Sequence, residues 1–231
     1  MTEADWHSAA TVNDLDLWET TKNQNRKWRL FAAACCDRAV KSLNDPRLSP
    51  ILSALERYVD WEISWEELKR VRKILPLIRK EIGLEWVGNN ERLHFTVSAL
   101  DDATAKASQL ALNSFITVQF AFASMGRGRK DETRRMQSYR AAEERVQLQL
   151  ARDIFGNPFR PVAVDPAWLT STAVGLARGI YDDRAFDRLP ILADAFQDAG
   201  CEDDAILSHC RDATQVHVRG CWVVDLVLDK S

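Results

Sequence analysis

The chain has 231 residues, 46% of them hydrophobic, and a formal net charge of −3 at pH 7. This length and apolar content allow one large domain or two small ones with a sizeable core, and argue against disorder as the main state. Glycine and proline are few and the apolar residues recur at helical spacing, which disfavours the all-β classes. The negative charge disfavours a general binder of nucleic acid or anionic membranes, because such binding needs a cationic surplus.

The N-terminus carries neither a positive start nor an apolar segment, so a secretion signal is not indicated and a cytoplasmic address is expected. Five cysteines, two of them adjacent, make a poor disulfide framework. We therefore expect the thiols to be reduced and mostly buried.

The first strong helical pattern covers Asn25–Leu43. Trp28, Phe31 and Cys35 fall on one apolar stripe at helical spacing, and Cys36 lies at its edge. The pattern predicts that Trp28 and Phe31 are fully buried and anchor the N-terminal core. Cys35 is then a small core residue, which is the usual role of a free cysteine.

Two more helices follow. One is predicted over residues 47–60, and the next starts at Ser64, whose spacing to Glu67 is that of a capping box. The apolar face of this third helix continues to Ile82. Pro76 lies inside it and should kink it, since proline removes one backbone hydrogen bond and clashes with the preceding turn.

The most apolar stretch predicts a single helix over residues 101–124. Its alanine-rich sequence is apolar over much of the helix circumference, which is typical of a helix covered on several sides. Lys106, Gln109, Asn113 and Gln119 interrupt it. We therefore expect a buried helix and no membrane span.

A basic segment at residues 125–135 is the strongest linker signal, and it leads into a long helix ended by Gly156. The proline-punctuated sequence NPFRPVAVDP marks a second break. These breaks predict an all-α protein with three parts. They are an N-terminal helical bundle over 1–125, a basic junction and connecting helix over 126–160, and a smaller C-terminal helical subdomain over 161–231.

Within the C-terminal subdomain, Asp165 and Pro166 are expected to begin a helix that runs to about Tyr181. Two short helices are predicted over 184–199, ended by Gly200, and over 202–211. The final segment, HVRGCWVVDLVL, fits either a helical face or a strand. The sequence leaves these alternatives open.

Several blocks of the chain carry a resemblance: RLFAAACCDRAV, DIFGNPFRPV, DPAW, RLPILADAFQDAGC and HVRGCWVVDLVL. Together they resemble a family of uncharacterised proteins known mainly from planctomycete bacteria. The block RLPILADAFQDAGC is also similar to the short helical repeat-companion domain found beside leucine-rich repeats in those bacteria. The resemblance implies a helical fold and a bacterial cytoplasm, and it implies no catalytic residues. The basic sequence GRGRKDETRR departs from the family pattern, in which this region is an alanine-rich helix.

Histidine and cysteine concentrate near the C-terminus, in the order Cys201, His209, Cys210, His217 and Cys221. A zinc site needs four soft or borderline donors in a tetrahedron, and this set offers five. His209 and Cys210 are neighbours on a predicted helix and diverge, so only one of them can serve a given ion. The workable quartet is therefore Cys201, His209 or Cys210, His217 and Cys221. The familiar Cys-x2-Cys spacing is missing, so ordinary packing without a bound metal is the competing and favoured interpretation.

An enzyme is a further alternative. Cys201 is placed at a helix start, where the helix dipole favours a thiolate nucleophile, but the three acids 202–204 that follow oppose a lowered pKa of that thiol. Asp187, Asp194 and Asp198 invite a hydrolase hypothesis, yet the helical pattern places Asp194 and Asp198 opposite the apolar stripe. No nucleotide-binding glycine motif is present. No catalytic or cofactor-binding residue is therefore assigned.

The charge layout carries more information. Residues 126–152 contain eight basic and four acidic side chains, a net charge of +4, whereas residues 182–212 contain nine acids and three arginines, a net charge of −6. Complementary patches can orient association between copies of the chain or with a charged protein partner. The predicted contact surface is Arg127, Arg129, Lys130, Arg134 and Arg135, where nucleic acid stays an alternative ligand. The sequence thus favours a non-enzymatic protein-interaction or adaptor module.

Overall fold

The computed structural model describes residues 1–15, 17, 21, 24–82, 89–105, 108–128 and 130–230. In this part of the chain the regular structure is helical and no strand occurs, which confirms the predicted all-α class. The helices are α1 (Glu3–Ser8), α2 (Asn25–Leu43), α3 (Ser49–Val59), α4 (Trp65–Val71), α5 (Ile74–Ile82), α6 (Asn89–Ala103), α7 (Ser108–Ala123), α8 (Glu132–Phe155), α9 (Ser171–Asp183), α10 (Leu189–Asp198), α11 (Asp204–Arg211) and α12 (Trp222–Val227). None of these helices is both long enough and apolar enough to cross a membrane.

The chain divides into two compact units. The terminal unit contains Met1–Ala9, Leu15–Lys27 and Gln149–Ser231, and the central unit contains Ala10–Asp14 and Trp28–Leu148. This division separates the chain within α8, whereas the sequence suggested breaks near residues 126 and 160. The terminal unit also includes residues from the N-terminus, which a division in chain order does not anticipate.

The core of the central unit is built on α2. Trp28 and Phe31 are 2% and 0% exposed and meet edge to face, with ring centroids 6.0 Å apart. Cys35 and Cys36 are both fully buried. The burial predicted for the two aromatic residues and for Cys35 is confirmed, and Cys36 is more deeply buried than a stripe-edge position suggests.

The predicted kinked helix over 64–82 is two helices. Ser64 caps α4 through the expected capping box with Glu67, but α4 ends at Val71 and α5 begins at Ile74. Pro76 has no N–H to offer the carbonyl of Arg72, four residues earlier, so the hydrogen-bond ladder is interrupted there. The proline therefore breaks the helix and does not merely kink it.

The prediction of a single helix over 101–124 is also wrong, because α6 ends at Ala103 and α7 starts at Ser108. Arg29 donates hydrogen bonds to the carbonyls of Ala103 and Ala105, at 3.3 and 2.9 Å, and Arg72 donates to the carbonyls of Thr104 and Asp101. These guanidinium groups take the places of the N–H groups that a continuing helix would supply. Lys106, one of the polar residues noted in this stretch, lies outside the described residues.

The terminal unit packs α9–α12 around a core that includes Ile180, Leu192, Phe196 and Val224. Gly156, at φ +64°, ends α8 as predicted. The helix expected from Pro166 begins later: Asp165 caps only a short 3-10 turn over Pro166–Trp168, and Thr170 caps α9. The ambiguous last segment forms α12, a helix.

Candidate metal centre

Four potential metal ligands from separate segments of the terminal unit converge on one point. Asp153 lies near the end of α8, His209 lies on α11, His217 lies in the following loop, and Cys221 caps α12. One donor atom from each of the four side chains lies within 4.8 Å of all the others. The chain thus brings a carboxylate, two imidazoles and a thiol together across up to 68 positions of sequence.

The distances within this cluster define a small polyhedron. Nδ1 of His217 lies 2.7 Å from Oδ1 of Asp153, and Nε2 of His209 lies 3.2 Å from the same oxygen. The Nε2 atom of His209 also lies 3.2 Å from Sγ of Cys221. A tetrahedral zinc ion, with bonds of about 2.0–2.3 Å, places its donor atoms about 3.3–3.6 Å apart. To match that spacing, the two 3.2 Å contacts would have to lengthen by about 0.1–0.4 Å and the 2.7 Å contact by about 0.6–0.9 Å.

The cluster is shielded from water. The side chain of Asp153 is fully buried, those of His209 and His217 are 12% and 9% exposed, and Cys221 is fully buried. The second carboxylate oxygen of Asp153, Oδ2, accepts a hydrogen bond of 2.8 Å from the backbone N–H of Val218. This bond fixes the carboxylate and leaves Oδ1 turned toward the two histidines.

The pKa values of Asp153 and Cys221 shift in opposite directions. Burial alone would raise the pKa of Asp153, but the hydrogen bonds and charges of His209 and His217 outweigh it and hold that pKa below its usual value. For Cys221, burial and the negative charge of Asp153 raise the pKa of the thiol well above its usual value, and nearby backbone N–H groups only partly oppose this. A bound cation would reverse the balance at Cys221, since metal coordination deprotonates a thiol.

A cleft of about 950 Å³ lies beside the cluster within the terminal unit. Among the four donor residues, only His209 lines it. Trp222 also lines the cleft and packs against His209, with ring centroids 5.1 Å apart. Gly156 brings the backbone against Trp222, since a Cβ at this position would lie 3.1 Å from Cγ of the indole. Of the four donors, the cluster thus presents only the ring of His209 to the cleft, and Trp222 packs beside that ring.

The structure selects among the ligands proposed from the sequence. His209, His217 and Cys221 belong to the cluster, whereas Cys201 and Cys210 lie outside it, in the apolar core of the terminal unit. Burial raises the pKa of both of these thiols, that of Cys210 to about 12. Cys201 also precedes the α11 cap, Asp203, by two residues, so it does not occupy the helix start expected for a nucleophile.

Asp153 is the cluster member that the sequence analysis missed. It lies 64 residues before His217, so the local spacing of histidines and cysteines gives no hint of it. A weaker signal exists on α8, where Asp153 is adjacent to the buried stripe formed by Leu150 and Ile154. A buried carboxylate needs a hydrogen-bonding or charged partner, so an acidic residue among buried apolar neighbours indicates a polar cluster.

The proposed contact surface in the central unit is only partly free. Arg127, Lys130, Arg134 and Arg135 are exposed, and Arg129 lies outside the described residues. Arg127 is not a free surface charge, because its Nε lies 2.8 Å from Oε2 of the buried Glu91. Asp194 and Asp198 are exposed, as the helical pattern of the sequence predicts, and Asp187 is exposed as well.

Comparison with known proteins adds no assignment: no family model, curated protein or solved structure matches the chain.

Proposed function

We propose that the chain is a zinc-stabilised binding module, in which Asp153, His209, His217 and Cys221 hold one Zn²⁺ ion in the terminal unit. The observation that carries this proposal is the convergence of four donor atoms within 4.8 Å of one another. Hydrogen bonding alone gives a poor account of the cluster, because one nitrogen of His209 faces both a carboxylate oxygen and a thiol.

The donor set favours zinc. One thiolate, two imidazoles and one carboxylate oxygen are borderline donors of the kind that Zn²⁺ accepts in tetrahedral sites. Calcium and magnesium prefer sites made of oxygen ligands, and only one such ligand is present in the cluster. The backbone N–H of Val218 supplies the outer hydrogen bond that orients the carboxylate.

The geometry supports a structural ion. Four protein donors complete a tetrahedron and leave no position for water or substrate, which is the feature that separates structural from catalytic zinc sites. Of the four donors only His209 borders the cleft, where Trp222 packs against its ring. The ion would tie α8, α11 and α12 together and stabilise the unit that carries the cleft.

A thiol enzyme fits this cluster less well. In a relay of cysteine, histidine and aspartate, one ring nitrogen meets the nucleophile and the other meets the carboxylate. Here the same Nε2 atom of His209 faces both Cys221 and Asp153. The fully buried Cys221 is moreover inaccessible to a substrate.

The binding role itself continues the interaction or adaptor function that the sequence favours. The supporting observations are the exposed basic residues Lys130, Arg134 and Arg135 in the central unit and the exposed acids of α10 in the terminal unit. These surfaces are suited to a charged protein partner or to a second copy of the chain. A cytoplasmic protein would keep Cys221 reduced, as a zinc ligand must be.

The deciding experiment is metal analysis of untagged protein purified under reducing conditions. We expect about one zinc per chain, and we expect a strong chelator to lower the thermal midpoint by about 5–10 °C, since metal binding stabilises the folded state. His217→Ala should lose the zinc, and His7→Ala, at a position 64% exposed, should keep it. A wild-type protein that takes up no zinc and ignores the chelator would refute the proposal.

A further inference from the structure

The cleft of the terminal unit has apolar walls and a charged interior. Trp6, Phe155 and Trp222 line it, together with Pro158 and Pro161. Trp6 and Phe155 are buried, so their rings form a rigid part of the wall. Its volume of about 950 Å³ lies in the range of pockets that hold small molecules.

Lys27 is one of three half-buried cations that line this cleft, the others being Arg152 and Lys230. Among the described residues Lys27 has no carboxylate or hydrogen-bonding partner. Burial lowers the pKa of Lys27, and the negative charge of Asp225 opposes that effect only in part. The Asp225 carboxylate is engaged by Arg26, whose Nη1 lies 2.5 Å from its Oδ2. An anion that enters the cleft would therefore stabilise the charged form of this ammonium group.

Arg152 is the second of these cations. Its Nη2 donates hydrogen bonds to the carbonyl oxygens of Trp6, His7 and Ala9, at 2.8, 3.4 and 3.4 Å. Carbonyl groups satisfy these donors but do not neutralise the charge. The Nε and Nη1 groups have no partner in the described part of the chain, so each can donate a single hydrogen bond to a carboxylate or phosphate oxygen.

The other charges of the cleft do not neutralise Lys27 and Arg152. The third half-buried cation, Lys230, has its Nζ 4.5 Å from the centroid of the Tyr181 ring. Arg160 forms an ion pair with Glu3, at 2.5 Å. Asp212 and Asp229 are exposed, so they lie where water screens them. The half-buried positions of the cleft are therefore cationic, and its acids are either paired or solvated.

We infer that this cleft binds a small molecule bearing an oxyanion, a carboxylate or a phosphate, which Lys27 and Arg152 hold between the aromatic walls. The inference deepens the proposed binding function by naming the ligand class of the same unit. It uses residues distinct from the four metal donors, so the two proposals can fail separately.

The test is calorimetric titration of the purified full chain, of measured zinc content, with inorganic phosphate and, separately, with succinate, each against sodium chloride of matched ionic strength. We expect saturable binding of one equivalent of at least one probe at concentrations up to about 10 mM. Binding of phosphate alone assigns a phosphorylated ligand, and binding of succinate alone assigns a carboxylate. Absence of binding for both probes overturns the inference.

Matched variants show whether the binding is in the cleft. Lys27→Met keeps the apolar stem of the side chain, and we expect it to weaken binding at least tenfold. Lys73→Met, at an exposed position of the central unit, should leave binding within twofold. Equal affinity in Lys27→Met and wild type overturns the inference, and Arg152→Gln repeats the test should Lys27→Met not fold.

The zinc measurement separates this inference from the proposed function. Stoichiometric zinc without anion binding refutes the cleft inference and leaves the metal site standing. Lys27-dependent anion binding in a protein that takes up no zinc refutes the metal site and supports the cleft.

Discussion

His209 and Cys221 meet through a single ring nitrogen: Nε2 of His209 lies 3.2 Å from Sγ of Cys221, and the same atom lies 3.2 Å from Oδ1 of Asp153. A neutral imidazole nitrogen either donates or accepts, so it cannot serve a thiol and a carboxylate equally well. A cation at the centre satisfies all of these atoms as ligands. This relationship favours a metal site and gives it a spectroscopic test.

Cobalt substitution tests whether Cys221 is a ligand. Cobalt(II) occupies tetrahedral zinc sites, and its bond to a thiolate gives a sulfur-to-metal charge-transfer absorption in the near ultraviolet. We expect this absorption in the wild-type protein and its loss in Cys221→Ser, because serine has no sulfur and its hydroxyl is a harder donor. The measurement is a titration of apo protein with cobalt(II), followed by absorption.

The other cysteines of the terminal unit supply the control. Cys201 and Cys210 lie in the apolar core, outside the cluster. Conservative Cys201→Ala and Cys210→Ala variants should therefore keep the charge-transfer absorption. Loss of the band in either of them, with retention in Cys221→Ser, would show that the ligands have been assigned wrongly.

Gly156 is expected to be intolerant of a side chain for two separate reasons. Its φ of +64° is in the left-handed region, which costs alanine about 1 kcal/mol, and a Cβ would lie 3.1 Å from the ring of Trp222. The crowding should add about 1–2 kcal/mol. We therefore expect Gly156→Ala to reduce the free energy of unfolding by about 2–3 kcal/mol, measured by urea denaturation.

Gly200 is the matched control in the same unit. It has φ +86°, and a Cβ added there would meet no atom within 4 Å, so Gly200→Ala should suffer only the backbone cost of about 1 kcal/mol. Equal losses in the two variants would show that the contact with Trp222 has no energetic weight.

Local patterns made much of the fold predictable. Apolar periodicity located α2 and its buried residues Trp28 and Phe31, the capping box located the start of α4, and Gly156 located the end of α8. Each of these signals lies within a few residues of the feature that it specifies. The same local concentration of histidine and cysteine pointed to three of the four residues of the candidate metal centre.

Features set by distant residues were not predictable from the sequence. The end of α6 depends on guanidinium groups of Arg29 and Arg72, which reach its carbonyls from other helices. Asp153 joins the candidate metal centre because α8 packs beside the segment that carries His217. In both cases the deciding partner is tens of residues away, and a single sequence carries no record of such pairs.

The aromatic pair of α2 should contribute strongly to stability. Trp28 is 2% exposed and packs edge to face on Phe31. We expect Trp28→Ala or Phe31→Ala to lower the free energy of unfolding by about 3–5 kcal/mol, the usual effect of emptying a buried aromatic site. Trp61, at 84% exposure, is the control, and Trp61→Ala should change stability by less than about 0.5 kcal/mol. Chemical denaturation of the variants measures both, and a loss below about 1 kcal/mol at Trp28 would contradict the assigned core.

Glu143 should make stability depend on pH. Burial raises the pKa of this carboxyl, and its ion pair with Arg38, at 3.0 Å, offsets the rise only in part. Because the folded state then holds the proton more tightly than the unfolded state, this group lowers the free energy of unfolding as pH rises above about 4.3. The glutamine of Glu143→Gln does not titrate. The free energy of unfolding of the variant, relative to that of wild type, should therefore increase between about pH 4 and pH 7. A constant difference, measured by urea denaturation across that range, would contradict this prediction.

Arg127 should behave differently from the other residues of the basic segment. Its Nε lies 2.8 Å from Oε2 of Glu91, whose side chain is 3% exposed, and burial raises the pKa of that carboxyl although the charge of Arg127 opposes the rise. Removing Arg127 leaves a buried carboxylate without its cation, and an uncompensated buried charge costs more than the pair contributes. Since Arg127 itself is 43% exposed, water can replace part of the interaction, and we expect Arg127→Gln to cost about 1–2 kcal/mol.

The exposed neighbours provide the contrast for Arg127. Lys130 and Arg134 are exposed, so Lys130→Gln and Arg134→Gln should each change the free energy of unfolding by less than about 0.5 kcal/mol. A test of this segment as a contact surface should therefore neutralise Lys130 and Arg134 and leave Arg127 in place. We expect that double variant to fold normally and to lose salt-sensitive association with an acidic protein surface. A double variant as unstable as Arg127→Gln would place these side chains in the fold, and unchanged association in a well-folded double variant would show that the contact surface lies elsewhere.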